Sequence, residues 1–113
     1  MAPEPVRLPA AMASPTVHCS VSAGWYPLLV RLHRRLSAVT DDFTYAQIKE
    51  KFGVLRCYLY YGDSVDDFTW SLCELLVDAT TDESRSVCEF CGGRGETRYD
   101  LSWVKTTCRD CLP

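Results

Sequence analysis

Four cysteines near the C-terminus form two C-x-x-C pairs, and sixteen residues separate the inner two. Each pair places two thiolates on one side of a tight turn, and this spacing allows an intervening strand pair to bring both turns to one tetrahedral ion. The glycine-rich run 92–95 supports the first turn, because glycine accepts the positive φ angles that such a knuckle requires. The sequence therefore predicts a structural Zn²⁺ whose ligands are Cys88, Cys91, Cys108 and Cys111.

The total of seven cysteines is odd, which argues against a secreted disulfide scaffold. Residues 1–17 show no secretory signal, so we expect a reducing cytoplasm in which thiols are free to bind metal. A redox C-x-x-C would open a helix inside a βαβ unit, and the sequence predicts no such unit. Cys57 and Cys73 are expected to be small buried residues. Cys19 is expected to be buried in the same way. An alternative is left open, in which Cys19 or its neighbour His18 supplies the fourth zinc ligand.

The length of 113 residues indicates one small domain over 18–113, which includes a zinc lobe over 86–113. Residues 1–17 contain four prolines and are predicted to be a flexible arm. No run approaches the roughly 20 apolar residues of a membrane span, so no membrane association is expected.

The fold class predicted from the periodicity is α+β, with two amphipathic helices, a β-hairpin and a C-terminal zinc ribbon-like lobe. Apolar residues at helical spacing indicate a first helix over 25–39. β-favouring residues indicate a hairpin of 44–50 and 54–60 that turns at Gly53. A second helix is expected from Ser64, with Asp67 as a capping-box partner, to about residue 84. A strand of the zinc lobe is expected over 98–104.

The apolar residues of the second helix indicate two adjoining stripes, so a wide arc of this helix is expected to be buried. The first stripe contains Val65, Phe68, Leu72, Leu75, Leu76 and Ala79, and the second contains Trp70, Cys73 and Val77.

An enzyme is not expected. Four protein ligands close a zinc site and leave no position for an activated water, so the predicted ion is structural. The two histidines are His18 and His33, and His33 is expected to be solvated on the polar side of the first helix. The paired aspartates at 41–42 and 66–67 fall at helix ends, where capping explains them.

The surface of this acidic chain, with a formal charge of −3, is a poor generic match for nucleic acid. A basic patch is nevertheless expected if the hairpin lies beside the first helix, and the alternative is an ordinary solvated surface. The hairpin tip at Phe52 is either a docking loop or a segment that folds back onto the core. The candidate partner-binding residues are Lys49, Lys51, Phe52, Arg56, Arg31, Arg34, Arg35 and Trp70.

Three segments resemble a group of small bacteriophage and prophage proteins. They are the string 24–29 (GWYPLL), the segment 47–56 (QIKEKFGVLR), and the tail with CEFCG at 88–92 and WVKTTC at 103–108. Members of that group often carry a histidine-type ligand in the second knuckle, where this chain has Cys111. The resemblance covers about residues 19–111 and implies a phage origin, the host cytoplasm and a zinc-bearing α+β fold, but no established activity.

The expected function is therefore stoichiometric binding to a host protein or protein complex. Such a protein would act as an inhibitor or adaptor of host machinery, for example as an anti-CRISPR protein. Because the chain is acidic, a basic target is favoured. The alternative is a nucleic-acid-binding zinc-ribbon regulator.

Overall fold

The computed structural model describes residues 6–112, which form a three-stranded sheet, two helices and a small two-stranded lobe. The strands of the larger sheet are β1 (His18–Ser20), β2 (Phe43–Lys51) and β3 (Val54–Tyr61). The helices are α1 (Tyr26–Val39) and α2 (Asp67–Ser84), and the lobe contains β4 (Glu96–Arg98) and β5 (Lys105–Thr107). The predicted α+β class, with two helices, a hairpin and a C-terminal cysteine cluster, is confirmed. No helix in the described range is long and apolar enough to cross a membrane.

Helix α1 begins after a short 3₁₀ turn, Ala23–Trp25, and ends at Val39. Pro27 lies in its first turn, where a missing N–H leaves no helical hydrogen bond unmade. The predicted apolar stripe is confirmed, because its leucines form the centre of the core against the sheet. The buried leucines are Leu28, Leu29, Leu32 and Leu36.

Strands β2 and β3 form the predicted antiparallel hairpin. Its two-residue turn holds Phe52 at φ 52° and Gly53 at φ 81°. Positive φ at both central positions suits the right-handed twist of paired strands, and glycine adopts it without steric cost. The Phe52 side chain is 71% exposed, so the tip does not fold back onto the core.

Strand β1 was not predicted. It pairs in parallel with β2, and α1 connects the two strands, so the chain does contain a βαβ unit. The expectation that no such unit exists is wrong, because three residues of edge strand are too short to give a periodic signal. Both C-x-x-C pairs lie outside this unit.

Helix α2 begins at Asp67, and its N-cap is Asp66, whose carboxylate accepts a hydrogen bond from the Thr69 N–H at 2.8 Å. The predicted start at Ser64 is corrected, because the Ser64 hydroxyl donates to Asp42 instead.

The buried side of α2 also differs from the prediction. Cys73 and Val77 of the second stripe are buried, but Phe68 and Leu75 of the first stripe are 77% and 65% exposed. Small polar residues take their place against β3. The Thr81 hydroxyl donates to the Leu55 carbonyl at 2.8 Å, and the Leu55 N–H donates to the Ser84 hydroxyl at 2.9 Å.

The N-terminal segment is not a free arm where it is described. Met12 is fully buried in the main core, and Leu8 and Val17 pack against the same core. A turn at Pro9 directs Met12 inward, since the Met12 N–H donates to the Pro9 carbonyl at 2.9 Å. The predicted flexible arm over 1–17 is therefore corrected around Met12, while residues 1–5 lie outside the described residues.

The lobe contains two short strands rather than the single predicted strand 98–104. Strands β4 and β5 pair antiparallel, with Thr97 opposite Thr106, and residues 99–104 form the loop between them. Tyr99 and Trp103 in this loop are 74% and 71% exposed. Aromatic residues in the loop gave the appearance of a strand.

We predict that Met12→Ala lowers the free energy of unfolding by about 2–5 kcal/mol, because it removes a buried side chain and leaves a cavity. Met12→Leu, which nearly conserves volume, should cost less than about 1.5 kcal/mol. Urea denaturation of both variants measures this. Equal stability of Met12→Ala and the parent protein would show that the segment contributes nothing to the core.

Candidate metal centre

The first C-x-x-C pair lies in a tight turn directly after α2. The Gly92 N–H donates to the Cys88 carbonyl at 3.0 Å, and the Cys88 N–H donates to the Gly93 carbonyl at 2.8 Å. Gly92 has φ 80°, as the glycine-rich run predicted. The Gly93 N–H also points at the Cys91 sulfur, at 3.4 Å. The Gly93 hydrogen bond lowers the pKa of the Cys91 thiol, but the neighbouring Cys108 and Cys88 thiols outweigh it and raise that pKa above its ordinary value.

The second pair follows β5. Cys108 ends the extended segment, and a 3₁₀ turn over Arg109–Cys111 brings the second thiol back to the same side. The Cys111 N–H donates to the Cys108 carbonyl at 3.3 Å within this turn. The pairing of β4 with β5 thus presents both turns at one end of the lobe.

The four sulfurs predicted as ligands come together at one point. All four lie within 4.8 Å of one another, and the Cys91 and Cys108 sulfurs are 3.6 Å apart. This separation is far longer than the roughly 2.05 Å of a disulfide bond. Cys88 is buried and Cys91 is exposed, so the cluster lies at the surface with one side covered. Four converging thiols of this kind are able to hold a metal ion.

The protonation of these thiols depends on their neighbours. Burial raises the pKa of the Cys88 thiol, but hydrogen bonds from the backbone at Cys91, Cys108 and Phe90 outweigh it and lower the pKa to about 6. The Cys108 thiol and burial raise the pKa of Cys111 to about 12. The lowered pKa makes the Cys88 thiol easier to ionise than a free cysteine, and a cation bound by thiolates displaces the protons of its ligands.

Three arginines lie near one of the four cysteines, Cys108. Arg94, Arg98 and Arg109 line a cavity of about 220 Å³ that Cys108 also lines. Four thiolates around a divalent ion carry a net charge of −2, and nearby guanidinium groups offset it. Arg98 is held by Glu96 at 3.4 Å and by the Thr107 carbonyl at 3.3 Å.

The first knuckle packs tightly against the start of α1. The indole N–H of the fully buried Trp25 donates to the Val87 carbonyl at 2.9 Å. Gly24 lies against the backbone of Cys88 and Glu89, so that a methyl group there would overlap both carbonyl oxygens. Gly24 and Trp25 thus form the surface against which the first cysteine turn of the two-stranded lobe packs.

The hairpin tip supports the other side of the lobe. The Thr106 hydroxyl donates to the Gly53 carbonyl at 2.5 Å, and a Cβ at Gly53 would lie 3.1 Å from Val104. Lys105 then bridges two carboxylates, Glu50 at 3.2 Å and Glu89 at 3.3 Å. Sequence reasoning missed this bridge, because Glu50 and Lys105 are far apart in the chain and no local pattern connects them.

The remaining cysteines and histidines lie elsewhere. Cys57 and Cys73 are buried in the main core, as predicted, and Cys19 packs against it. Neither Cys19 nor His18 belongs to the four-sulfur group among the described residues. The expectation for His33 is corrected, because its Nδ1 lies 2.8 Å from the Tyr45 hydroxyl and the contact is partly buried.

The candidate partner-binding residues do not form one patch. Lys49 and Arg56 are direct cross-strand partners on the sheet, and Lys51 and Phe52 adjoin them at the tip. Arg34 and Arg35 are exposed on α1, whose leucines cover the other side of the sheet. Helix α1 also carries Arg31, which forms an ion pair with Glu83 of α2. Trp70 lies on α2 and is 48% exposed.

Comparison with known protein families, with curated proteins and with solved structures finds no match to this chain. The resemblance to phage proteins stays a prediction.

We predict that Gly24→Ala destabilises the metal-loaded protein by about 1–3 kcal/mol or more, because the knuckle has to move away from α1. Gly93→Ala is the matched control, since its added Cβ meets only the Cys91 sulfur, at an ordinary 3.5 Å. The control should change stability by less than about 1 kcal/mol in either direction. Thermal unfolding in excess metal measures both, and equal effects would contradict the close packing at Gly24.

Proposed function

We propose that the four cysteines bind one Zn²⁺ and that this ion is structural. Zinc–sulfur bonds of about 2.3 Å place the corners of a tetrahedron about 3.8 Å apart. The 3.6 Å between the Cys91 and Cys108 sulfurs, and the 4.8 Å limit for the whole group, support this geometry. Thiolate ligands favour soft or borderline ions, and four of them suit zinc.

The proposal extends to the absence of catalysis. Four protein sulfurs fill a tetrahedral ion, so no position is left to activate a water molecule. The ion instead joins α1, the hairpin tip and the lobe, since its first knuckle contacts Trp25 and its second follows the strand that carries Thr106. We infer a protein that acts by binding a partner stoichiometrically.

We predict one Zn²⁺ per chain by metal analysis of the natively purified protein. A strong chelator should lower the melting temperature and unfold the part after about residue 85, because the ligands and the lobe fold together. Cys91→Ser should lose its zinc to a competing chelator at concentrations that leave the parent protein loaded.

Cys19→Ala is the matched control, since this thiol is remote from the four-sulfur group, and it should retain one ion per chain. A metal-free native protein, or one whose four cysteines are disulfide-bonded, would overturn the assignment.

The surface of α2 supports a basic protein as the partner. Phe68 and Leu75 are exposed one above the other, and Leu72 and Ala79 continue this stripe at helical spacing. The helix contains five acidic and no basic residues. The exposed carboxylates of Asp67, Asp78 and Asp82 follow one side of the stripe. A second copy would place like charges opposite one another, whereas a basic amphipathic segment would match both the charge and the apolar surface.

An inhibitor or adaptor of host machinery is the form of binding protein that we propose. An anti-CRISPR protein in the host cytoplasm is the concrete case, and it rests on the sequence resemblance together with the acidic face of α2. Proteins that bind nucleic acid have basic surfaces, and an acidic, partly apolar helix is suited to bind to such a surface in place of the nucleic acid.

We predict that a photo-crosslinking benzoylphenylalanine in place of Phe68 captures a basic protein from a bacterial lysate. The same probe in place of Ser37, which is exposed on α1, is the matched control and should capture it at least tenfold less. Leu75→Glu should abolish the crosslink from position 68. Equal yields at both positions, or crosslinks to a second copy of this chain, would contradict the proposed surface.

A second candidate function is nucleic-acid binding by a zinc-ribbon regulator. One observation favours it. Lys49 and Arg56 are cross-strand partners, and they place two positive charges next to each other on the side of the sheet that faces away from α1.

A further inference from the structure

The three-stranded sheet has one covered side and one open side. Ile48, Leu55 and Cys57 are buried in the core, where the helices cover them. Because side chains alternate along a strand, the residues between them point the other way. We call this second side the open sheet face, and it carries His18, Lys49, Lys51, Arg56, Tyr58 and Tyr60.

The open sheet face is positively charged in an acidic protein. Lys49, Lys51 and Arg56 supply three cations, while the formal charge of the whole chain is −3. All of β1, β2 and β3 lie in the described part of the chain, and their single carboxylate is Glu50. Glu50 alternates to the covered side, where Lys105 pairs with it. No carboxylate from these strands therefore lies on the open sheet face. At the edge of β3, Glu74 and Asp78 of α2 line a cavity together with Arg56 and Tyr58, so Lys49 and Lys51 are the cations furthest from α2.

Two of these cations are forced together by the register of the hairpin. Lys49 and Arg56 are direct partners across β2 and β3, and both side chains are half-buried. Like charges directly opposite one another destabilise a sheet. An anionic ligand on this face would remove that repulsion.

Aromatic rings lie among the cations. Tyr58 and Tyr60 are 44% and 68% exposed, and they are two residues apart on the same side of β3. The Lys49 ammonium lies 5.6 Å from the centre of the Tyr58 ring, and the Lys51 ammonium lies 5.9 Å from that of Phe52. The Tyr58 and Phe52 rings therefore each have a cation beside them, so that a flat group stacked on either ring would have its anionic part near an ammonium group.

We propose that the open sheet face binds single-stranded nucleic acid, an inference that rests on the second candidate function, nucleic-acid binding, and names its ligand class and its surface. Unpaired bases stack on exposed tyrosines, and phosphates are attracted by neighbouring lysines and arginines; sheet faces with aromatic residues recognise single strands in this way. A duplex keeps its bases stacked inside and offers phosphates alone, so it would use the cations but leave the rings unused. This face lies across the sheet from α1 and is separate from the apolar stripe of α2.

The experiment measures fluorescence anisotropy of labelled 15-nucleotide oligo-dT and oligo-U with the zinc-loaded protein between 50 and 200 mM salt. Three phosphate contacts predict a slope of about −2 for log K against log salt concentration. Lys49→Ala should lower the slope by about 0.7 in magnitude. Tyr60→Ala should weaken binding about fivefold or more at an unchanged slope, because it removes a stacking surface and no charge.

Arg34→Ala is the matched control, since it removes one exposed cation from α1, and it should leave the affinity within about twofold. Circular dichroism of each variant checks that the fold is retained. Phe68→Ala changes the proposed partner-binding surface of α2 alone, so it should bind the oligonucleotides like the parent protein even if α2 binds no partner. No binding at 50 mM salt would overturn the proposal. Equal losses for Arg34→Ala and Lys49→Ala, or equal competition by polyglutamate with no effect of Tyr60→Ala, would overturn it as well.

Discussion

The contact between the first cysteine turn and the start of α1 is the constraint on which the molecule depends. Gly24 leaves no room for a side chain, and the Trp25 indole donates to the Val87 carbonyl, so the sulfur cluster is fixed to the most buried part of the core. The two strands of the lobe have three residues each, and a pair of this length does not fold alone. A bound ion would link the two cysteine pairs and so close the loop between them. Because the first pair packs on Gly24 and Trp25, this link would also stabilise the main core.

The way in which α2 is attached to the sheet determines which of its side chains stay exposed. Thr81 and Ser84 join it to Leu55 through hydrogen bonds, and these short side chains bring the helix close to β3. Only a narrow apolar side is then needed for packing, which Cys73 and Val77 supply. Bulky residues elsewhere on the helix remain exposed, and an exposed apolar stripe of this kind commonly marks a binding surface.

Local signals in the sequence were sufficient for much of this fold. The leucine spacing of α1, the glycine at the hairpin turn and the two C-x-x-C pairs each encode their structure within a few residues. The errors concern long-range contacts. Burial of Met12, the parallel pairing of β1 and the choice of buried face on α2 depend on which distant surface lies opposite. Phe68 and Leu75 match a core stripe as well as Cys73 does, and only the position of β3 decides between them.

The same limit applies to the net charge, which does not show where on the folded surface each charge lies. A total of −3 predicts weak attraction to phosphate, but folding separates the charges. The carboxylates of α2 lie along one helix, whereas Lys49, Lys51 and Arg56 are gathered on the far side of the sheet by the hairpin register. Glu74 and Asp78 line one cavity with Arg56 at the edge of β3, whereas exposed charges further apart than about 8 Å are largely screened at physiological salt. An acidic helix and a cationic sheet face therefore occur in one chain, and this distribution of charge is the basis on which two binding surfaces of opposite charge are proposed.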